Sequence, residues 1–390
     1  MGMSVSNTFS KIDCKKILHI PNFYPPHIGG IEDLCCNIVK IVKNHTNIEQ
    51  KVICFSETKE TKYDTYEGVD IIRVGVITKI ANQSVSIYYK KILTKIMKEF
   101  RPNIIHFHTP NPLVAFLLLS VLPKNTKLIV HWHSDIIAQK YLYYLVKGIE
   151  SKLLLRANTI IATSPNYIES SNPLKKVKGK TTIIPSAIDV QKFEITQTVK
   201  DRIESIKANY TCPIVLFVGR HVAYKGLEYL IKAESQIIEK CVLLIGGIGK
   251  QTNYLKSINN SKRIFFLGRI SDELLSAYYY AADIFVFPSI TKNEAFGLAL
   301  VEAMYCSTPA ITFTIQGSGV NWVNINGETG VEIENKNITE LSNAINILLK
   351  NQALREEYAR NAKKRIEENF TINKIKDIIL ELYKDEDINE

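Results

Sequence analysis

Along most of the chain, short runs of near-continuous apolar residues alternate with segments whose apolar residues recur every three to four positions. The runs Lys16–Ile20, Lys51–Phe55, Asp70–Val74, Asn103–Phe107, Lys127–His131, Thr159–Thr163 and Thr181–Ile184 read as strands, with helices such as Ile31–Val42 and Tyr141–Leu155 between them. The pattern restarts at Pro213–Val218 and continues through Val242–Ile245, Arg263–Leu267, Ile284–Phe287 and Pro309–Phe313. Gln191–Asn209 is charged, has no strand and reads as a connection. The segments Leu341–Leu349, Gln352–Glu367 and Ile372–Tyr383 read as terminal helices. Strands apolar on both faces and separated by helices predict parallel, doubly wound sheets. The expected fold class is therefore α/β, with two Rossmann-like domains over residues 1–195 and 196–371 and a last helix in 372–390.

Length agrees with this division, because 390 residues exceed what one hydrophobic core usually serves. No apolar run approaches the roughly 20 residues that span a bilayer, and Met1–Ser10 is polar, so neither a membrane helix nor a signal peptide is expected. The seven cysteines lie mostly inside apolar runs without C-x-x-C spacing, and read as reduced core residues of a cytoplasmic protein rather than as disulfides or metal ligands. The net charge of +10 suits an anionic partner: nucleic acid, a membrane face or a phosphorylated substrate. No nucleic-acid motif accompanies it, and no nucleic-acid partner is expected. One lysine cluster lies on Ser86–Lys98, where Ile92, Leu93, Ile96 and Met97 share a face with Tyr88 and Tyr89, and Lys90, Lys91, Lys95 and Lys98 lie largely opposite. An interfacial helix on an anionic membrane and a plain helix packed on a sheet have this same pattern.

In open parallel sheets, ligands gather beyond the C-terminal strand ends, and the unusual residues of this chain fall there. Gly29-Gly30 opens a helix after the first strand, either as a tight turn or as a close backbone approach to a phosphate. His106, His108, His131 and His133 follow two later strands; with no cysteine or acidic pair nearby in sequence they fit zinc spacing poorly, and no metal is expected. His133, just before Ser134-Asp135, is the favoured hydrogen-bond partner for a reacting group, with His108 and Asp135 as acceptor-side candidates. Arg220 and Lys225 flank the turn after Pro213–Val218, from which both can reach a diphosphate. Gly246-Gly247-Ile248-Gly249 lacks the full dinucleotide fingerprint, so Gly247 is expected to leave room for a nucleoside and not to mark a dehydrogenase. Finally, Glu294 and Glu302 straddle Gly297, which opens a helix whose first N–H groups, from Phe296 through Leu298 to Ala299, form an anion site between two hydroxyl acceptors. Hydroxyls, diphosphate and ribose hydroxyls follow one another in this way in a nucleotide-diphosphate sugar.

Together these motifs resemble the GT-B glycosyltransferases, specifically glycosyltransferase family 4, over nearly the whole chain. The resemblance is carried by Phe217-Val218-Gly219-Arg220 with Lys225-Gly226, by Ile184-Pro185-Ser186-Ala187-Ile188-Asp189, and by Pro288-Ser289 leading into Glu294-Ala295-Phe296-Gly297 and Glu302. The family usually has Asn-Gly where this chain has Ser186-Ala187. The stretches His131–Ile136 and Ala162–Tyr167 are similar to bacterial mannosyl- and related hexosyltransferases of O-antigen, capsule or exopolysaccharide assembly.

The resemblance implies a retaining transfer from a GDP- or UDP-sugar to a saccharide or lipid-linked acceptor, with no metal, at the inner face of the cytoplasmic membrane. It also implies that Arg220 and Lys225 hold the diphosphate, that Glu294 binds sugar hydroxyls, and that Phe296 and Gly297 offer backbone groups. Glu302 would take the ribose, Gly30 would lie by the phosphate, and His133 by the reacting face. The last helix would cross back to the first domain. A nucleotide-sugar isomerase of the same fold and a non-catalytic subunit are the alternatives.

Overall fold

The computed structural model describes residues 15–27, 29–80, 83–136 and 140–384, with the side chains of 140–145 left aside. Met1–Ser10, Cys14 and the end of the chain from residue 385 lie outside these residues. The strands, in chain order, are β1 (Lys16–Ile20), β2 (Glu49–Phe55), β3 (Lys62–Tyr66), β4 (Val69–Val74), β5 (Thr78–Ile80), β6 (Gln83–Val85), β7 (Ile104–Thr109), β8 (Lys127–Trp132), β9 (Thr159–Ala162), β10 (Thr181–Ile183), β11 (Ile214–Val218), β12 (Val242–Gly246), β13 (Ile264–Gly268), β14 (Ile284–Phe287), β15 (Ala310–Phe313) and β16 (Gly330–Ile333). One sheet has the order β10-β9-β8-β7-β1-β2-β4-β3 and a second the order β13-β12-β11-β14-β15-β16, while β5 and β6 form a small hairpin. By compactness the chain falls into two units, Met1–Val130 with Arg156–Asn158, and His131–Leu155 with Thr159–Glu390; the division falls within β8.

In the first unit, β1 pairs in parallel with β2 and β7, and β2 with β4. These strands are Ile-, Leu- and Val-rich, and helix Gly30–His45 turns Leu34, Cys35, Ile38 and Val42 into the core. The sequence pattern did not reveal β3, and the reason is physical: this antiparallel edge strand is exposed along nearly its whole length and carries Lys62 and Asp64. Charged side chains on a short edge protect it from further pairing, and erase the apolar signal by which strands are recognised. Asp64 instead accepts from Arg73 Nε of β4 at 2.9 Å.

In the second unit all described pairings of β11 to β16 are parallel. Both faces of β11, β12 and β14 are buried under helices, which is why they read as unbroken apolar runs. The connection after residue 190 is itself helical. Thr196 caps Gln197–Asn209 by accepting from Val199 N–H, and the helix packs on Asp272–Ala281. It buries only a narrow stripe around Ile206, so its charges masked the helical period. Toward the end of the chain, Ile188 N–H donates to Phe370 O and Ile372 N–H to Ile188 O, both at 3.0 Å, just before helix Ile372–Leu382. No helix among the described residues is long and apolar enough to cross a membrane.

The core of the first unit contains a titratable group. His19 on β1 is fully buried, its Nε2 is 3.0 Å from Gln50 Oε1, and desolvation lowers its pKa from 6.5 to about 4. The unfolded chain therefore binds a proton that the folded chain refuses, and stability falls as the pH drops from about 6.5 toward 4. A His19→Gln variant should show a flatter decline of unfolding temperature than wild type across that window. Parallel curves in thermal melts between pH 7 and 4 would contradict this assignment.

Candidate functional site

Two loops at the C-terminal ends of adjacent strands build the centre of the site. After β11 the chain passes Gly219-Arg220 and makes a tight helical turn, Ala223–Lys225, closed by Gly226 in the left-handed region at φ 64°. The turn directs the Lys225 ammonium inward, to 8% exposure, and leaves Arg220 exposed with Nη2 donating to Tyr224 OH at 3.1 Å. After β14 the second loop brings Glu294, also 8% exposed, against Lys225 in an ion pair. Ser289 Oγ donates to the same Glu294 Oε2 at 3.0 Å, and the ammonium lies 4.5 Å from the Phe287 ring centroid. Ser318 Oγ donates to the Glu294 carbonyl, fixing the backbone as well. A buried ion pair with a further hydrogen bond has its charges compensated; removal of either partner strands the other.

Glu294 leads into the glycine element. Gly297 has φ 91°, and a Cβ there would come within 2.8 Å of the Phe287 ring, so no other residue fits without movement. It starts helix Leu298–Tyr305, where no side chain caps the first turn. Phe296 is buried, 5.5 Å from Phe370 and 6.2 Å from Trp322 by ring centroids, so its side chain belongs to the core and only its backbone is left for a ligand. Glu302 is half-buried on the helix, and Tyr279 OH donates to its Oε2 at 2.8 Å.

Gly247 has a packing explanation beside the expected one. At φ 117° an added Cβ would lie 1.9 Å from Gly219 O, so the loops after β11 and β12 touch backbone to backbone. His221 N–H donates to Ile248 O and Gln251 N–H to His221 O, closing the same contact.

His133 and Asp135 also belong to the second unit. His133 is buried, stacks on His131 at 4.4 Å, and has its pKa lowered by desolvation to about 3, so it is a neutral imidazole at any working pH. Asp135 is already engaged. Its carboxylate accepts from Trp132 Nε1 at 3.0 Å and Ser171 Oγ at 2.7 Å, and pairs with Lys292 at 2.7 Å. It serves as an anchor for the segment after β8.

Gly29, Gly30 and His108 lie in the first unit. Gly29 precedes helix Gly30–His45, whose first turn holds Glu32 and Asp33, and a Cβ on Gly29 would touch the Glu32 carboxylate. Two acidic groups at this helix start already complement its positive end. His108 is buried and stacks on His106 at 4.6 Å. The fold also supplies the cysteine that sequence spacing did not: ligand atoms of His19, Cys35 and His108 lie within 4.8 Å of one another. Burial pushes the Cys35 thiol well above its usual value, and the His19 ring is bonded to Gln50, a poor arrangement for the thiolate a metal needs.

Helix Tyr89–Glu99 turns Tyr89, Leu93, Ile96 and Met97 into the core, so most of the apolar stripe read from the sequence is packed on the protein, while Ile92 is half-buried and Tyr88 exposed. Its lysines are exposed, and an open groove of about 1110 Å³ runs beside them, lined by residues that include Lys59, Tyr63, Ile87, Tyr88, Lys91 and Lys95. None of the strand-end candidates lines it.

Sequence reasoning noted Ser289 as part of a motif but gave it no role, and missed Tyr279 and Lys292. Ser289 carried a signal, standing five residues before Glu294 at a strand end. Lys292 carried a weaker one in the same loop, and Tyr279 none, because it sits inside an apolar helix.

Residues 28–192 match the family model described as Glycosyltransferase Family 4, and residues 199–365 match that described as Glycosyl transferases group 1. The O-antigen chain mannosyltransferase C of Escherichia coli is 30% identical over 371 residues, covering 94% of this chain and 98% of the relative. The D-rhamnosyltransferase WbpZ of Pseudomonas aeruginosa is 28% identical over 91% of this chain and 92% of its own. Among solved structures, sucrose-phosphate synthase of Thermosynechococcus elongatus superposes with a TM-score of 0.78 at 21% identity, over 95% of this chain and 98% of that one. Anabaena HepE, solved with UDP and glucose, superposes with a TM-score of 0.73 at 20% identity over 94% and 99%. Two parallel-sheet domains, the Lys225–Glu294 element and these matches lead to one conclusion: the chain belongs to glycosyltransferase family 4 and has the GT-B fold.

Proposed function

We propose that the protein transfers a hexosyl group from GDP-mannose or a UDP-hexose to a saccharide or lipid-linked saccharide, with retention and without a metal ion, in bacterial cell-surface polysaccharide synthesis. The observation that carries this reading is the buried Lys225–Glu294 pair with Ser289, beside Arg220 on the loop after β11. A donor offers each member a better partner: its diphosphate meets the Lys225 ammonium and Arg220 guanidinium, and its sugar hydroxyls meet the Glu294 carboxylate. The mannosyl- and rhamnosyltransferase names of the relatives support a hexosyl donor, and the UDP complex of HepE supports a nucleotide-sugar.

In the transfer, the bond from the anomeric carbon to the β-phosphate oxygen breaks while the acceptor hydroxyl bonds to that carbon on the same face. The acceptor proton passes to the departing phosphate oxygen. Negative charge grows on the diphosphate, where Lys225 and Arg220 are already held. Front-face transfer fits because Glu294 is taken up by the sugar hydroxyls and Ser289, and Glu302 by the ribose and Tyr279, leaving neither as an obvious nucleophile. Neutral His133 serves the sugar as a hydrogen-bond partner and carries no charge into the reaction. His108, Asp135, Gly29 and Gly30 stand on the acceptor and phosphate sides of this reading, and Gly247 beside the nucleoside. The protein works in the cytoplasm at the inner membrane face, attached through the lysines of helix Tyr89–Glu99.

Lys225→Ala should lower turnover by a factor on the order of 100 to 1,000, equivalent to about 2.7–4 kcal/mol of lost charge stabilisation. The measurement is nucleotide release from GDP-mannose and from UDP-hexoses with and without acceptor, preceded by a thermal shift with GDP and UDP. At 100 times its Kd the matching nucleotide stabilises by about 2.7 kcal/mol. More than about a tenth of wild-type turnover in the variant contradicts the diphosphate role. Activity in excess EDTA should equal activity in Mg²⁺; a loss restored only by a divalent ion overturns metal independence. Replacing Lys90, Lys91, Lys95 and Lys98 by glutamine should release the protein from anionic liposomes at low salt, at about 1 kcal/mol per lysine, while donor binding persists. Equal co-sedimentation of wild type and the quadruple variant would refute attachment by this helix.

A further inference from the structure

We propose that Tyr279 is a positioning residue for the donor, its phenol holding the Glu302 carboxylate in one orientation ready for the vicinal hydroxyls of a ribose. The proposal rests on the donor-site reading given above for Glu302. Tyr279 is 0% exposed, yet its hydroxyl is placed on Glu302 Oε2 at 2.8 Å. A buried tyrosine needs a partner for that hydroxyl, and a carboxylate acceptor makes the bond charge-assisted.

The ring is fixed from several sides. Its centroid is 5.7 Å from Phe285 of β14 in an edge-on contact and 6.4 Å from Phe193, and Thr308 Oγ1 donates to the Tyr279 carbonyl at 2.7 Å. Burial and the nearby carboxylate hold the phenol well above its usual value, so the O–H donates at every working pH. A glutamate side chain on a helix surface otherwise samples several rotamers. Fixing it before the donor arrives removes that ordering cost from binding. The bond also makes the two carboxylate oxygens inequivalent, which matches a ligand whose two hydroxyls must be met in one register.

The test compares GDP and UDP, whichever the wild type binds, with the 2′,3′-dideoxy form of the same nucleotide. Tyr279→Phe should weaken the ribose-bearing nucleotide by up to about ten-fold, the cost of ordering one freed side chain on binding. It should raise donor KM by the same factor with kcat unchanged, and leave the dideoxy nucleotide bound as in wild type. Glu302→Asp, which keeps the charge but withdraws it from the phenol, should show the same selective loss. Unchanged affinity in Tyr279→Phe, or an equal loss for both nucleotides, overturns the proposal. Glu302→Gln separates the two levels. If it weakens only the ribose-bearing nucleotide while Tyr279→Phe does not, positioning fails and the donor site stands. If it weakens neither, the donor-site reading falls and the proposal with it.

Discussion

The buried ion pair between Lys225 and Glu294 is the interaction around which the candidate site is organised. Each charge is tolerable in its pocket only because the other is present. Keeping them together requires the turn that ends in left-handed Gly226, the Ser289 hydroxyl and the Ser318 clamp on the Glu294 backbone. Those contacts reach the ends of β11 and β14, which lie next to each other in the second sheet, and the loop after β15. Strand order thus decides which residues meet, and side-chain chemistry decides how firmly.

On the proposed reading, the same pair sets what a ligand must do: a nucleotide-sugar would not enter an open binding surface but would replace a satisfied contact with two better ones. A bare sugar offers the ammonium no negative charge, and a bare phosphate brings the carboxylate mainly repulsion. Selectivity for a molecule carrying both follows from this exchange alone, before any contact with the base is considered.

Much of this was legible in the sequence, and the failures have physical reasons. Strands such as Ile284–Phe287 were plain because a parallel strand covered on both faces must be apolar throughout. Arg220, Lys225 and Glu294 stood out because charge in the loop after such a strand has few structural uses, and Glu302 because it stands across Gly297 from Glu294 in the helix that follows. The edge strand β3 was hidden by the polarity that an edge requires, and helix Gln197–Asn209 by burying a single narrow stripe. Tyr279 could not be found, since a phenol in an apolar helix looks like core until its hydroxyl is located. Cys35 came near the histidines only through the packing of its helix on the sheet, a relation that spacing along the chain does not encode. The contacts that hold the Asp135 carboxylate, from Trp132, Ser171 and Lys292, were likewise not legible, because the last two come from segments far away along the chain.

Helix Tyr89–Glu99 gives its apolar stripe to the core, and what it presents outward is a row of ammonium groups on long stems. Such a row senses how densely negative a neighbouring surface is and has little sense of what that surface is made of. Contact through it strengthens with charge density and dissolves as ionic strength rises, without any refolding. Helix and core are then uncoupled: the number of lysines can change, and with it any attachment made through them, while the buried stripe, and the fold that depends on it, stays as it is.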